Sequence, residues 1–330
     1  MTVRAAVIGC GDISAIHLAA IDAMADVELV AVADTETEAR SAAEDRWHVP
    51  SFPDHRALLD AIRPDVVHVC TPHDQHADPV VDALAAGVDV VMEKPVAHTV
   101  AEAERVAAAA AAHPERVVAV CLQSRYNATA QHVRGLLDSG ELGAVLGGAA
   151  TVIWHRTPEY YAAKPWRGQR QRSGGGVLIN QAIHTLDLLQ WLVGDVSKVE
   201  GRCGTYALAG VVDVEDTASV VLDHASGARS VLFATVTHVA DAPVTLDLVT
   251  ERARLSIRGD LTITWEDGRV EVVSERRATT VGRDYWGVSH ELLIADAYRT
   301  GANGGRFWIG PAEALAAQRI LAEVYALSGV

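Results

Sequence analysis

Short apolar runs alternate with longer alanine-rich stretches through the first third of the chain. The apolar runs contain few polar residues and many valines, as strands that are covered on both faces do. They lie at 3–8, 27–33, 65–70, 88–92 and 116–122. The stretches at 13–24, 76–86 and 100–113 have a helix-forming composition. This alternation predicts an α/β domain with a doubly wound parallel sheet.

The pattern changes near residue 124, after which longer strand-like runs follow one another through turn signals. Such runs lie at 217–223, 228–237 and 245–249, with glycine-containing turns at 225–227, 258–260 and 266–268. Helix-like segments lie at 127–138, 176–193 and 311–327. We predict a second domain of α+β type, with a large, mostly antiparallel open sheet and helices on one face. The predicted domains are 1–123 and 124–330, and the last helix is expected to pack back towards the first domain.

Composition and charge exclude several functions. The 330 residues are 49% hydrophobic and 22% charged, which is typical of a folded globular protein. The formal net charge of −15, without a cluster of Lys and Arg, argues against nucleic acid as a partner. The four cysteines are far apart, which disfavours a disulfide framework or a metal cluster. No long apolar segment precedes the first strand, so we expect a cytoplasmic protein without a membrane partner.

A glycine-rich turn joins the first predicted strand to the first predicted helix. Its expected cofactor contacts are Gly9, Gly11, Asp12, Ile13 and Ser14. Gly9 allows the tight turn, and Gly11 lets the backbone approach a pyrophosphate beside the positive end of the helix. Ser14 replaces a third glycine and is small enough for close helix packing. In this context the turn predicts a dinucleotide site of the Rossmann type.

Asp34 ends the second predicted strand, about 20 residues further on, where a carboxylate can hold the hydroxyls of a ribose. Because an acidic residue followed by Glu36 repels a 2′-phosphate, the predicted cofactor is NAD, with NADP less favoured. Arg40 counts slightly in the other direction and is included among the cofactor contacts. The alternative is that Asp34 only caps the end of a strand.

Three further motifs carry a family resemblance. Residues 71–76 read Thr-Pro-His-Asp-Gln-His, residues 93–95 read Glu-Lys-Pro, and residues 174–187 read Gly-Gly-Gly-Val-Leu-Ile-Asn-Gln-Ala-Ile-His-Thr-Leu-Asp. In order and spacing they resemble the glucose-fructose oxidoreductase and inositol dehydrogenase family, also called Gfo/Idh/MocA, along the whole chain. The resemblance implies a Rossmann domain followed by an α/β domain whose open sheet often forms an oligomer interface. Because helices on one face leave the other face of such a sheet uncovered, we expect a homodimer or a homotetramer.

The resemblance also assigns residues around the nicotinamide. It implies that the ring lies over Lys94, and that a cis Lys94-Pro95 bond aims this side chain into the cleft between the domains. It further implies that Thr71 and Pro72 line the edge of the ring. The remaining expected cofactor contacts are His76 and Glu93. The alternative is that Lys94 is a solvated charge or pairs with Glu93.

His184 is the candidate base, because alcohol oxidation by hydride transfer needs a group that removes the hydroxyl proton near neutral pH. Asn180 lies four residues before it and Asp187 three after it, so on a helix the three share a face. Many relatives carry Asp at the position of Asn180. Since an amide only donates and accepts hydrogen bonds, Asn180 is expected to orient the substrate hydroxyl, while Lys94 polarises the oxygen or relays its proton. A core histidine or a zinc ligand is the alternative role of His184, and no metal is expected.

Aromatic and guanidinium groups cluster between residues 154 and 167 of a chain that is only 5% aromatic. Aromatic faces stack on sugar rings, and Arg and Tyr donate to hydroxyls, carboxylates or phosphates. The alternative is that the tryptophans pack a domain interface and the arginines are surface charges. The expected substrate contacts are Gln123, Arg125, Tyr126, Trp154, Arg156, Tyr160, Tyr161, Trp166, Arg167, Asn180 and His184.

These observations predict an oxidoreductase that transfers a hydride between NAD and a secondary alcohol or ketone of a sugar, inositol or sugar derivative. The family resemblance leaves two other classes open, an NAD-dependent glycoside hydrolase and a non-catalytic regulator that senses a dinucleotide. Net production of NADH separates the dehydrogenase from the hydrolase. The presence of both Lys94 and His184 counts against the regulator.

Overall fold

The structure is a computed structural model that describes residues 2–276 and 289–330. The chain divides into two compact units, Met1–Gln123 with Ala278–Leu315, and Ser124–Arg277 with Ala316–Val330. The sequence-based division placed everything after residue 123 in one domain, whereas the described residues 289–315 cluster with the first unit.

The elements are numbered in chain order. The strands are β1 Val3–Ile8, β2 Val27–Ala33, β3 Ser51–Phe52, β4 Val66–Val69, β5 Asp89–Met92, β6 Val118–Val120, β7 Val145–Ile153, β8 Val196–Gly204, β9 Thr217–His224, β10 Arg229–Thr235, β11 Thr245–Thr250, β12 Ala253–Arg258, β13 Asp260–Trp265 and β14 Val270–Val273. The helices are α1 Ser14–Asp22, α2 Thr37–Trp47, α3 His55–Ile62, α4 Ala77–Ala85, α5 Val100–Ala112, α6 Ala128–Asp138, α7 Pro158–Ala163, α8 Arg170–Ser173, α9 Ile183–Val193, α10 Ser289–Ala302 and α11 Pro311–Ser328.

The first unit contains a six-stranded parallel sheet in the order β3-β2-β1-β4-β5-β6. Its central strands β1 and β4 are largely buried, so most of their side chains are apolar, which explains the apolar runs. In the core around β1 and β2, Val7 and Val32 pack with Leu18 and Ile21 of α1. The direction of winding reverses between β1 and β4, and ligands of such sheets bind at the carboxyl ends of the strands there.

The second unit contains an eight-stranded sheet in the order β14-β13-β12-β11-β7-β10-β9-β8. The described pairings are antiparallel except for β10 with β7. Buried and exposed positions alternate along β10, as expected for a sheet covered on one face. Leu186 and Leu189 of α9 pack in the same core as Leu232 of β10. The expected fold class is confirmed in both parts.

The described residues contain no membrane-spanning candidate. Within residues 2–276 and 289–330, no helix combines the length and the apolar composition that a membrane crossing needs.

Candidate active site

The turn after β1 can form only with glycine at its first position. Gly9 has a φ of 93°, and its amide donates a hydrogen bond to the carbonyl oxygen of Ala33 at 2.7 Å. A Cβ on Gly9 would lie 2.7 Å from the carbonyl carbon of Cys70, so any side chain would collide with the end of β4. The loops that follow β1 and β4 are therefore in direct contact at the point where the winding reverses.

Asp34 holds this turn against the end of β2. Its Oδ2 accepts a hydrogen bond from the amide of Cys10 at 2.7 Å, and its Oδ1 accepts one from the amide of Glu36 at 2.8 Å. The Arg40 guanidinium donates to the carbonyl oxygen of Asp34 at 2.9 Å and to Oγ1 of Thr37 at 3.2 Å. A carboxylate offers about four acceptor positions, so Asp34 can still bind ribose hydroxyls while it fixes the turn.

The residues at the start of α1 fit a dinucleotide. A Cβ on Gly11 would meet no atom within 4 Å, so the backbone there borders open space. The Ser14 hydroxyl donates to the carbonyl oxygen of Gly11 at 2.6 Å, and the first turn of α1 contains no acidic residue. Asp12 is exposed and Ile13 is half-buried. Backbone amides, the positive end of a helix and room for a phosphate are therefore present together, which is the chemistry a pyrophosphate requires.

His76 links the loop after β4 to the loop after β5. Its Nδ1 lies 2.7 Å from the carbonyl oxygen of Pro95, and its Nε2 lies 2.8 Å from that of Thr71. The side chain is fully buried, and the Lys94-Pro95 bond is cis. Burial lowers the pKa of His76, although both carbonyl contacts raise it, so the neutral ring donates to one carbonyl at a time. The structure thus places His76 between two loops expected at the nicotinamide, with both ring nitrogens engaged, while Thr71, Pro72 and Lys94 are half-buried.

Glu93 is the centre of a buried polar network that the sequence did not reveal. Its Oε1 lies 3.0 Å from Nε2 of His17 and 3.3 Å from Nε2 of His290. His17 continues through its Nδ1 to Nδ1 of His68 at 2.8 Å, and Nε2 of His68 lies 2.8 Å from the Tyr298 hydroxyl. Burial alone would raise the pKa of Glu93, but the hydrogen bonds from both histidines hold it well below its ordinary value. In the sequence, the signal for this network is the presence of histidines within an apolar strand or helix.

Three potential metal ligands lie within this network. Donor atoms of His17, Glu93 and Cys121 are within 4.8 Å of one another, and all three residues are buried. Burial raises the pKa of the Cys121 thiol well above its ordinary value, and Glu93 raises it further. Two of the three side chains, His17 and Glu93, are already joined by the hydrogen bond at 3.0 Å.

In the second unit, Gly175 and Gly176 allow close packing at the start of the segment that carries Asn180 and His184. A Cβ on Gly175 would lie 2.1 Å from the Tyr325 hydroxyl, and a Cβ on Gly176 would lie 1.9 Å from the carbonyl oxygen of Glu215. Gly175 and Gly176 are therefore explained by their neighbours in the second unit, and Gly174 by its φ of 81°. Neither Glu215 nor Tyr325 was among the expected residues.

Asn180 lies in a π-helical turn, Leu178–Ala182, which leads directly into α9. Such turns are rare and occur frequently at functional sites. Asn180 and His184 are half-buried in a segment whose other residues from Gly175 to Asp187 are buried. These two side chains are therefore the most accessible ones of this segment.

Asp187 has a different environment from His184. It is fully buried and accepts two hydrogen bonds from Arg125, from Nε to Oδ2 at 2.8 Å and from Nη2 to Oδ1 at 2.6 Å. Arg125, expected to contact substrate, instead forms this buried pair and lies over the Trp191 ring at 5.5 Å. An ion pair thus joins the turn that carries Arg125 to the 174–187 motif inside the second unit.

Tyr160 is the centre of the aromatic and guanidinium cluster. The guanidinium carbons of Arg156 and Arg167 lie 5.4 and 4.7 Å from the centre of its ring. Arg156 also lies over Trp154 at 5.0 Å, and Arg167 lies over Trp166 at 5.8 Å. The predicted clustering is therefore present as stacked side chains.

Members of this cluster differ in their exposure. Tyr161 is only 5% exposed and belongs to the hydrophobic core, and burial raises the pKa of its hydroxyl. Arg156 pairs with Asp241 at 3.0 Å. Gln181, which was not expected, is 7% exposed and donates from Nε2 to the Tyr160 hydroxyl at 3.4 Å.

The turn Gln123–Tyr126 spans the boundary between the units. Gln123 is 7% exposed and closes the first unit, and Tyr126 is half-buried in the second unit.

Two family models match the chain. One, described as an oxidoreductase family with an NAD-binding Rossmann fold, matches residues 3–121, and the other, described as a GFO/IDH/MocA C-terminal domain, matches residues 130–260. Inositol 2-dehydrogenase of Salmonella typhimurium is 27% identical over 241 residues, which span 70% of this chain and 67% of that protein.

Solved structures share the fold along the chain. The WlbA dehydrogenase from Bordetella pertussis, in complex with NADH and UDP-GlcNAcA, is 27% identical with a TM-score of 0.86, and the match covers 100% of this chain and 98% of that one. A levoglucosan dehydrogenase in complex with NADH and levoglucosan has a TM-score of 0.88 over 99% of this chain and 98% of that one. At 22% identity, the second likeness bears on the fold alone.

Proposed function

We propose roles for individual residues of this chain, which belongs to the GFO/IDH/MocA oxidoreductase family. It is an NAD-dependent oxidoreductase that acts on the CH-OH group of a sugar, an inositol or a related polyol. The relatives are named dehydrogenases, which argues against the glycoside hydrolase considered from the sequence.

One observation carries the assignment of the cofactor site. The turn at Gly9 touches the end of β4 at Cys70, and Asp34 accepts the amide of Cys10 within the same turn. His76 then ties the loop after β4 to the loop that bears Lys94. Loops that follow β1, β2, β4 and β5 are thus linked at one edge of the parallel sheet, where dinucleotides bind.

NAD, when bound, would accept the hydride that leaves the carbinol carbon of the substrate. In the proposed mechanism, Nε2 or Nδ1 of neutral His184 takes the hydroxyl proton as the carbonyl forms. The Lys94 ammonium stabilises the negative charge that develops on the substrate oxygen. The Asn180 amide orients the hydroxyl, because it can donate and accept a hydrogen bond but cannot exchange a proton near neutral pH.

The substrate is proposed to bind against Tyr160. Gln181 donates to the Tyr160 hydroxyl, so the hydroxyl proton of Tyr160 is left to bond elsewhere. The Oε1 atom of Gln181 is buried and has no hydrogen-bond partner among the described residues. An unmatched buried acceptor costs about 1–3 kcal/mol, so a donor that reaches it, such as a sugar hydroxyl, gains free energy. The Arg167 guanidinium already lies over the ring of Tyr160. We therefore propose that Tyr160 contacts the substrate through its hydroxyl, by a hydrogen bond, and not by stacking.

We further propose a cytoplasmic homo-oligomer that prefers NAD over NADP. The preference rests on the Asp34 carboxylate, which repels a 2′-phosphate. The oligomer rests on the uncovered face of the large sheet, where Val231, Phe233 and Val249 are 44%, 39% and 42% exposed. Large exposed apolar patches mark association surfaces. Phe233→Glu is expected to yield monomers in light scattering. A wild-type protein that is monomeric at micromolar concentration would contradict the proposed oligomer.

The test is NADH formation with purified protein, NAD and a panel of sugars, inositols and sugar acids. Lys94→Ala and His184→Ala are expected to lower kcat at least a hundredfold while NAD binding, measured by calorimetry, persists. The matched controls are Lys198→Ala and His113→Ala, at surface positions of the same residue types. Bound NAD without turnover on any polyol, in either direction, would overturn the proposed function.

A further inference from the structure

Glu215 occupies the start of the segment that carries Asn180 and His184. Its Oε2 accepts the amide of Gly176 at 2.8 Å, and its Oε1 accepts the amide of Leu178 at 3.0 Å. Its own carbonyl oxygen accepts the amide of Val177 at 2.9 Å. The first turn of a helix has amides without partners inside the helix, and here one distant residue satisfies three of them.

The contacts of Glu215 are those of a carboxylate that accepts hydrogen bonds through both oxygens. Both oxygens only accept: the Tyr325 hydroxyl donates to Oε1 at 3.0 Å, and Nη2 of Arg170 lies 3.6 Å from Oε2. Glu215 is 2% exposed, so water does not screen its charge. Burial raises its pKa, and the two amides and Arg170 counteract that rise.

We propose that Glu215 is a positioning residue for hydride transfer, one that fixes the start of the helix and sets the electrostatic potential along it at His184. The inference rests on the proposed function, because it takes His184 as the base. His184 lies six positions after Leu178, which is about 9 Å along a helix. Over that distance a unit charge in a medium of effective permittivity about 30–50 changes a proton affinity by roughly 0.5–1 pH unit.

The groups around Glu215 include titratable side chains from several elements. They are Arg170 from α8, Tyr325 from α11, Cys203 from β8, Tyr161 from α7 and its neighbour Asp216. Burial raises the pKa values of both tyrosines and of the cysteine, so these three are neutral where the enzyme works. Asp216 accepts three amides, from Tyr206, Ala207 and Leu208, in a separate loop. Arg170 is then the one opposite charge among these groups.

The sign of the effect follows from the role of His184. A negative charge near the start of the helix favours the imidazolium, so it raises the pH below which the base is protonated and kcat/KM is lost. Glu215→Gln removes that charge. It also places the NH₂ group of the glutamine, a hydrogen-bond donor, against a backbone N–H that is itself a donor. We therefore expect a fall in kcat of about tenfold or more and a shift of the acidic limb to lower pH by roughly 0.5–1 unit.

Two further variants separate charge from structure. Arg170→Gln removes a positive charge at the same site, so it should shift the acidic limb in the opposite direction. Tyr325→Phe removes a hydrogen bond without changing charge, so it should leave the limb in place. Arg170 has a side chain that is 29% exposed, and its variant keeps the test available should Glu215→Gln fail to fold.

The experiment is the pH profile of kcat/KM for these variants, with hydrogen exchange of the peptide covering residues 174–186 as a readout that needs no turnover. Opposite shifts for Glu215→Gln and Arg170→Gln, with faster exchange in the former, are the expected result. Unchanged profiles and unchanged exchange in an active enzyme would overturn the inference and leave the proposed function standing. Absence of turnover in the wild type overturns the proposed function, and the exchange data then still test whether Glu215 fixes the helix.

Discussion

Replacement of Asp187 tests whether the aspartate at the end of the 174–187 motif has a structural role. The carboxylate makes two hydrogen bonds with Arg125, at 2.8 and 2.6 Å, and the two side chains are 5% and 1% exposed. Because water does not screen this pair, Asp187→Asn leaves the Arg125 charge buried without an ionised partner. Loss of one partner of such a pair costs about 3–5 kcal/mol.

That free energy corresponds to a large thermal shift. For a unit of this size, 1 kcal/mol lowers the melting temperature by about 2–4 °C, so the expected fall is roughly 6–20 °C by calorimetry. NAD binding is the internal reference, since the cofactor site is assigned to the first unit. Asp195→Asn is the matched control, because Asp195 follows the same helix and is exposed.

A double variant separates the pair from its parts. Arg125→Met with Asp187→Leu replaces both charges by apolar side chains of similar size, and such replacements are often neutral or stabilising. We expect the double variant to be more stable than either single variant. A fall of less than about 2 °C for Asp187→Asn, or a double variant whose loss equals the sum of the single losses, would refute the reasoning.

Three more predictions concern the first unit. Gly11→Ala should fold normally, since its Cβ meets no atom within 4 Å, yet weaken NAD binding about tenfold or more in calorimetry; Gly9→Ala should instead lower the melting temperature. Asp34→Asn should weaken NAD binding and lower the ratio of the affinity for NAD to the affinity for NADP. An unchanged ratio of the two affinities would contradict the role assigned to Asp34. Burial and the neighbouring His17 hold the pKa of His68 well below 6.5, so the folded state keeps it neutral and unfolding stability should fall as pH drops below about 6.5. His68→Gln should flatten that dependence in urea titrations at several pH values, and an equally steep dependence would contradict it.

The fold was accessible from the sequence where burial imposes a simple pattern. The predicted strands at 3–8 and 27–33 match β1 and β2 residue for residue, because each is apolar except for one residue near its start and ends at a turn. The helices α2 and α3 lie in segments for which the sequence pattern predicts no element. In α2 the one buried residue is Ala43, so no apolar stripe marks it. The segment α10 is amphipathic, yet its place in the first unit depends on contacts far apart in sequence.

The candidate site shows the same limit. Gly9 and Asp34 stand at fixed distances from strands, so local reasoning found them and the structure joins them through Cys10. The partners of Glu93 come from α1 and α10, and Glu215 comes from the strand region after α9. Long-range hydrogen bonds between buried polar groups leave no periodic signal in the sequence. For this reason the supporting residues escaped sequence reasoning while the motifs did not.

The roles assigned to the motif residues stay predictions. Asn180 and His184 are the two half-buried residues in an otherwise buried stretch of helix, whereas Asp187 lies in the buried pair with Arg125. Tyr161 packs in the core, since its ring fills apolar space.

The most direct test of the central claim follows the hydrogen itself. Purified protein is incubated with NAD and the best polyol of the panel, deuterated at its carbinol carbons, and the nicotinamide product is analysed by mass spectrometry. Direct hydride transfer predicts reduced cofactor that carries one deuterium, with loss of label from one carbon of the substrate. Reduced cofactor without deuterium, or converted substrate with no reduced cofactor, would contradict the account.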